Sequence, residues 1–193
     1  MIRELCTLLV TSVLINNAIL NQFLGMCPFM GVSKKRNSAL GMGVAVVFVI
    51  VVASIVTYAL YYLVLVPLHI EYMKLITFIL VIASLVQLCE MFIKKTSPSL
   101  YKSLGVYLPL ITTNCVVLNC CLANISNGYG IAQMLVYSIG TPLGFALVLY
   151  IFSSIRERLE TSEVPRSFLG NPIALIVAAI MAMAFSGLAG IVL

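Results

Sequence analysis

The sequence predicts an all-α integral membrane protein: six transmembrane helices arranged as two inverted three-helix repeats, with the first and fourth spans interrupted. Three observations predict it. The chain of 193 residues is 62% hydrophobic and 9% charged, whereas a soluble domain carries roughly a quarter charged residues. Its apolar residues gather into six long runs. Its basic residues gather almost entirely on one side of those runs.

The runs cover approximately 5–32, 39–66, 75–93, 104–123, 131–155 and 172–193. A span takes about 20 apolar residues, so six use about 120 and leave only short loops. The expectation is one membrane domain over 1–193, with repeats at approximately 1–100 and 101–193. The first run is not expected to be a cleavable leader. It meets Asn16, Asn17, Asn21 and Gln22 and continues past Cys27 to a basic cluster, with no small-residue cleavage site in between.

Charge sets the orientation. Lys34, Lys35, Arg36, Lys94, Lys95, Lys102, Arg156, Arg158 and Arg166 fall in one set of loops, and only Arg3 and Lys74 fall in the other. Basic residues collect in cytoplasmic loops, so both termini are expected outside the cytoplasm. The same rule accounts for the net charge of +5 and removes any need for a nucleic-acid partner. Glu157, Glu160 and Glu163 read as a solvated helix end.

The halves carry related patterns. Asn17 precedes Ala18-Ile19-Leu20, and Asn114 precedes Cys115-Val116-Val117; Gly43-Val44-Ala45-Val46-Val47 resembles Gly144-Phe145-Ala146-Leu147-Val148. Three spans per repeat place the halves in opposite orientations, and inverted repeats put functional sites where interrupted helices meet near the midplane.

Two spans stand apart. The first contains Asn16, Asn17, Asn21 and Gln22 ahead of Cys27-Pro28, and the fourth contains Pro109, Thr112, Thr113 and Asn114 ahead of Cys115. Pro28 and Pro109 lack an N–H and are expected to leave the carbonyls of Leu24 and Gly105 without helical partners. Such groups at membrane depth need a side chain, water or a ligand. Helix-to-helix adhesion would explain one such span; two, each with a cysteine at the disruption, point to a site.

The ligand type narrows the chemistry. Cysteine without accompanying histidine or carboxylate suits iron–sulfur clusters, zinc or copper(I). The six cysteines include no C-x-x-C pair and His69 is the only histidine, which argues against a closed zinc site. A cluster takes four thiolates, so Cys27 and Cys115 would supply half. Their depths are compatible: Cys115 lies about 20 Å beyond Lys102 along a helix, and Cys27 reaches a similar depth from Lys34 if 28–33 runs partly extended, at up to about 23 Å. Cys6 and Cys89 are expected in the core as small hydrophobes. Glu90 is a candidate for an ion path, with Asn17 and Asn114, because an acid inside a span is functional by default; an i,i+4 pair with Lys94 is the simpler account of it.

Leu24-Gly25-Met26-Cys27-Pro28-Phe29-Met30-Gly31-Val32-Ser33-Lys34-Lys35 resembles the first-span signature of A-type subunits of the Rnf complex. Lys95-Thr96-Ser97-Pro98, the segment from Leu108 to Cys115, Ile155-Arg156-Glu157-Arg158-Leu159 and the segment from Gly170 to Ile176 extend the likeness over essentially the whole chain. The resemblance implies a subunit of an ion-translocating, translocase-type oxidoreductase, not catalytic alone, that exchanges electrons between ferredoxin and NAD and moves Na+ or H+. It also implies an inverted homologous E-type partner, further B-, C-, D- and G-type subunits, and an intramembrane [2Fe-2S] cluster shared between the pair, with Cys27 and Cys115 as this chain's iron ligands. One departure from the family pattern is Asn119-Cys120-Cys121, which brings extra thiols near Cys115. Two other readings fit the composition: a small secondary transporter with its substrate between broken helices, and an assembly scaffold with inert cysteines.

Overall fold

The computed structural model describes residues 2–33, 36–69, 71–96, 110–111, 114–160, 165, 168 and 170–189. All regular structure among them is helical. Helix α1 (Ile2–Val10) loosens at its end into a π turn, Thr11–Ile15. A non-helical stretch, 16–25, leads to the short α2 (Met26–Val32). Then follow α3 (Arg36–Leu60, prolonged by a π turn Tyr61–Leu65), α4 (Lys74–Thr96), α5 (Cys115–Ser126), α6 (Ile131–Glu160) and α7 (Asn171–Ala189).

Among the described residues three stretches are long and apolar enough to cross a membrane: Ser38–Leu65, Lys74–Met91 and Ile131–Leu159. They match the second, third and fifth expected runs. Cys115–Ser126 and Asn171–Gly187 are apolar but shorter; the first is the described end of the fourth run, and the second lies within the sixth. The first run is divided into α1 and α2.

Helices α3 and α6 form the main packing unit. Met42, Val46 and Ile50 of α3 and Phe145, Leu149 and Phe152 of α6 are fully buried. Their backbones approach closely because Gly43 faces Ala146: a Cβ at Gly43 would stand 2.9 Å from that of Ala146. Close approach through small residues is how helices associate where lipid removes the usual hydrophobic drive. Gly144 does the same for the first helix, since a Cβ there would lie 2.6 Å from the carbonyl oxygen of Val13. Helix α5 lies across this unit with Val116, Val117 and Cys120 fully buried. The outward faces carry Val44, Phe48, Leu80, Leu88, Ile180 and Met183, an apolar exterior suited to lipid or to neighbouring proteins.

The structure corrects four expectations. The first break lies at 16–25, not at Pro28, which falls in the first turn of α2; proline suits a helix start because the N–H it lacks has no acceptor there. For the same reason 28–32 is helical rather than extended. Arg156 belongs to α6, not to a loop, and is buried. Cys6 is exposed and Cys89 half-buried, because in a membrane protein an apolar position can face lipid as readily as core. Glu157 is exposed but paired, 2.6 Å from Nε of Arg36. Lys34, Lys35, Lys102, Pro109, Thr112, Thr113, Glu163 and Arg166 lie outside the described residues.

Candidate functional site

The break in the first run is held by its own amides. Asn16 N–H reaches back to the carbonyl of Thr11 at 2.7 Å and closes the π turn. Asn17 Oδ1 accepts from the N–H of Ile19 at 3.1 Å, while its Nδ2 donates to the Val13 carbonyl at 3.2 Å. Asn21 Nδ2 donates to the Ile15 carbonyl at 3.1 Å, and Leu24 N–H to the Ala18 carbonyl at 2.9 Å. These bonds satisfy backbone groups that a continuous helix would have paired internally.

The second break is built alike. Asn114 has extended backbone (φ −71°, ψ 113°) and is the N-cap of α5; its Oδ1 accepts from Val116 N–H at 3.1 Å. Asn17 and Asn114, matched from sequence alone, therefore make the same bond, side-chain oxygen to the N–H two residues on. Both are buried, and Asn114 Nδ2 has no partner among the described residues.

The two breaks meet. The N–H of Gly25, the N-cap of α2, donates to Sγ of Cys115, the first residue of α5, at 2.8 Å. Asn119 Nδ2 donates to Gln22 Oε1 at 2.9 Å, tying the loop along α5. Gly25 has a left-handed backbone (φ +77°), and a Cβ there would stand 2.7 Å from Val116 Cγ2 and 2.8 Å from Phe145 Cε2. Only glycine satisfies both demands.

Cys27 and Cys115 both occupy the first turn of their helices, and both are exposed. Cys120 and Cys121 are buried on the core side of α5. Among the described residues no three His, Cys, Asp or Glu side chains converge. Both exposed thiols are soft ligands, and they stand on helix starts joined by an N–H···S bond. Glu90 sits half-buried on α4, on a different element from both breaks.

Sequence reasoning missed two supports of this arrangement. Gly25 lies inside the motif around Cys27, but its role depends on a contact 90 residues away. Arg156, 6% exposed, donates from Nη1 to the Met30 carbonyl at 2.9 Å and to Ser33 Oγ at 2.8 Å. With the Phe29–Phe152 ring stack (centroids 4.1 Å apart), it fastens α2 to α6. A helix of seven residues has little stability of its own, so these contacts fix where Cys27 sits.

Residues 5–192 match the family described as Rnf-Nqr subunit, membrane protein. The chain belongs to the Rnf-Nqr family. Among its Rnf-Nqr relatives is the A-type subunit of the ion-translocating oxidoreductase complex of Syntrophotalea carbinolica, 54% identical over 98% of both chains. Another is the A-type subunit of the Na(+)-translocating ferredoxin:NAD(+) oxidoreductase complex of Acetobacterium woodii, 54% identical over 95% of both. The A-type subunit of the ion-translocating oxidoreductase complex of Vibrio vulnificus is 50% identical over 98% of both. The apolar helices and the family together make this Rnf-Nqr chain a multi-pass membrane protein, one component of an ion-translocating oxidoreductase complex.

Proposed function

We propose that this chain is the A-type membrane component of an ion-translocating ferredoxin:NAD oxidoreductase, and that Cys27 and Cys115 hold one half of a [2Fe-2S] cluster whose other half comes from an inverted homologous protein. The observation that carries this reading is the bond from Gly25 N–H to Cys115 Sγ, which joins the two cysteine-bearing helix starts at an exposed place. The near-full-length likeness to A-type subunits of such complexes supports the rest. When bound, the cluster would supply a one-electron relay within the membrane.

The chain's own residues hold and shape that place. Gly25 N–H donates to sulfur, and hydrogen bonds to cluster sulfurs are among the protein's means of setting potential. The N-terminal end of α5 favours negative charge at Cys115. Arg156 and Phe152 fix α2, and Asn17 and Asn114 hold the helix ends open. The matching Asn17 and Asn114 bonds also support two inverted repeats and with them six spans, and the one-sided basic residues support both termini outside the cytoplasm. B-, C-, D- and G-type subunits would complete the complex.

Single serine substitutions at all six cysteines test the proposal in the purified complex. Cys27→Ser and Cys115→Ser should each remove two-iron stoichiometry, acid-labile sulfide and the electron paramagnetic resonance signal assigned to the intramembrane cluster, with the chain still inserted. Cys6, Cys89, Cys120 and Cys121 should be replaceable with the signal retained. A signal that survives in Cys115→Ser and disappears in Cys120→Ser would show the ligand to be the other thiol; a signal that survives in all six would move the iron to other subunits.

A further inference from the structure

Away from the exposed cysteines, the structure buries a polar cluster where α3, α5 and α6 meet. Asn124, near the end of α5, donates from Nδ2 to Ser138 Oγ of α6 at 3.0 Å. Ser54 Oγ of α3 lies 3.8 Å from Cys121 Sγ, and Cys120, the residue before it, is fully buried. Ser54, Asn124, Ser138 and Thr141 are each 98% or more buried.

The cluster is incompletely paired. Asn124 Oδ1 and Thr141 Oγ1 are buried with no hydrogen-bond partner among the described residues. Pro142, inside α6, has no N–H to give the carbonyl of Ser138 four residues earlier. Two acceptor oxygens, Asn124 Oδ1 and the Ser138 carbonyl, thus lack donors, and the Thr141 hydroxyl within the same turn of α6 is unpartnered. Buried polar atoms are almost always satisfied, and in a membrane interior an unpaired one is costlier still. No carboxylate or basic side chain belongs to the cluster, and the C-terminal end of α5 adds the negative end of a helix dipole.

We infer that this cluster is a binding site for a small monovalent cation, held by Asn124 Oδ1, Thr141 Oγ1, the Ser138 carbonyl and neighbouring hydroxyls. Hard cations take oxygen ligands. A carbonyl freed from its helix, beside side-chain oxygens, is how interrupted membrane helices coordinate sodium. A water molecule needs the same oxygens but gains nothing from the helix end. The inference rests on the proposed function in that it gives the transported ion a stopping place in this chain.

The test is binding of radioactive sodium to the purified complex, with iron and acid-labile sulfide measured in the same samples. Wild type should bind sodium saturably. Thr141→Val, which removes one oxygen at constant shape, should weaken it at least tenfold, and Thr141→Ser should restore it. Pro142→Ala makes α6 more regular and supplies the missing N–H, so it should fold well and still lose affinity several-fold. Unchanged affinity in Thr141→Val and Pro142→Ala overturns the site and leaves an ordered water in its place. Absence of saturable sodium binding in wild type overturns it as well. Sodium binding without cluster iron or sulfide would instead remove the redox reading and leave the site standing.

Discussion

Arg156 and Ser33 are joined by a 2.8 Å hydrogen bond inside the protein, although they lie 123 residues apart and each borders a segment expected to be cytoplasmic loop. The same Nη1 reaches the Met30 carbonyl at 2.9 Å, so one guanidinium closes the C-terminal end of the helix that carries Cys27.

Replacing Arg156 should therefore be felt at Cys27. Arg156→Lys keeps the charge, but its shorter side chain stops short of the Nη1 position that serves both acceptors, and should destabilise the protein by about 2 kcal/mol. The check is the melting temperature of the purified complex together with the line shape of the cluster's paramagnetic signal, which should broaden as α2 loosens. A mere surface charge would move neither.

Gly25→Ala should be more severe than its size suggests. The left-handed backbone alone costs about 1–2 kcal/mol with a Cβ, and overpacking against Val116 and Phe145 adds about 1–3 kcal/mol. Iron content per complex should fall together with accumulated protein. Normal iron content in this variant would show that the Gly25–Cys115 bond has no part in holding the site.

Thiol accessibility separates the cysteines. When the protein is made alone, a membrane-permeant maleimide should modify Cys6, Cys27 and Cys115, which are exposed, and spare Cys120 and Cys121, which are buried. In the assembled complex Cys27 and Cys115 should become protected. Labelling of Cys120 ahead of Cys115 would contradict the placement of α5.

Orientation has a direct test. A reporter active only outside the cytoplasm, fused after Leu193, should be active, given nine basic residues on one side and two on the other. Activity of a cytoplasm-only reporter at the same position would reverse the topology.

Much of this architecture is legible in the residues. Spans 39–66, 75–93 and 131–155 follow from hydropathy alone, and the pairing of Asn17 with Asn114 follows from their neighbours. The breaks are legible as breaks, but Pro28 points to the wrong end of the first one, because a proline can open a helix as well as stop one. Arg156 cannot be told from a loop arginine until the fold sets Ser33 against it. Cys6 is misplaced by hydropathy, which does not distinguish a lipid-facing position from a core one. The buried cluster leaves a fainter trace: Ser54 with Thr57, Ser138 with Thr141 and Pro142, and Asn124, all polar or helix-disturbing positions within or beside apolar runs.

The stretch 16–25 has a consequence for the life of the protein in the cell. Asn16, Asn21, Gln22 and Phe23 lie along it, all four exposed, and Phe23 adopts the left-handed backbone (φ 53°), a conformation costly for a bulky residue. Irregular backbone facing lipid is not tolerated, whereas the same backbone against protein is. A newly made copy without neighbours thus displays a polar, strained stripe of the kind that membrane quality-control proteases recognise. Its turnover, followed by pulse-chase labelling, should be rapid when the chain is made by itself and slow when the rest of the complex is made with it. The break would then set the stoichiometry of assembly by degradation, since copies without a partner would not persist.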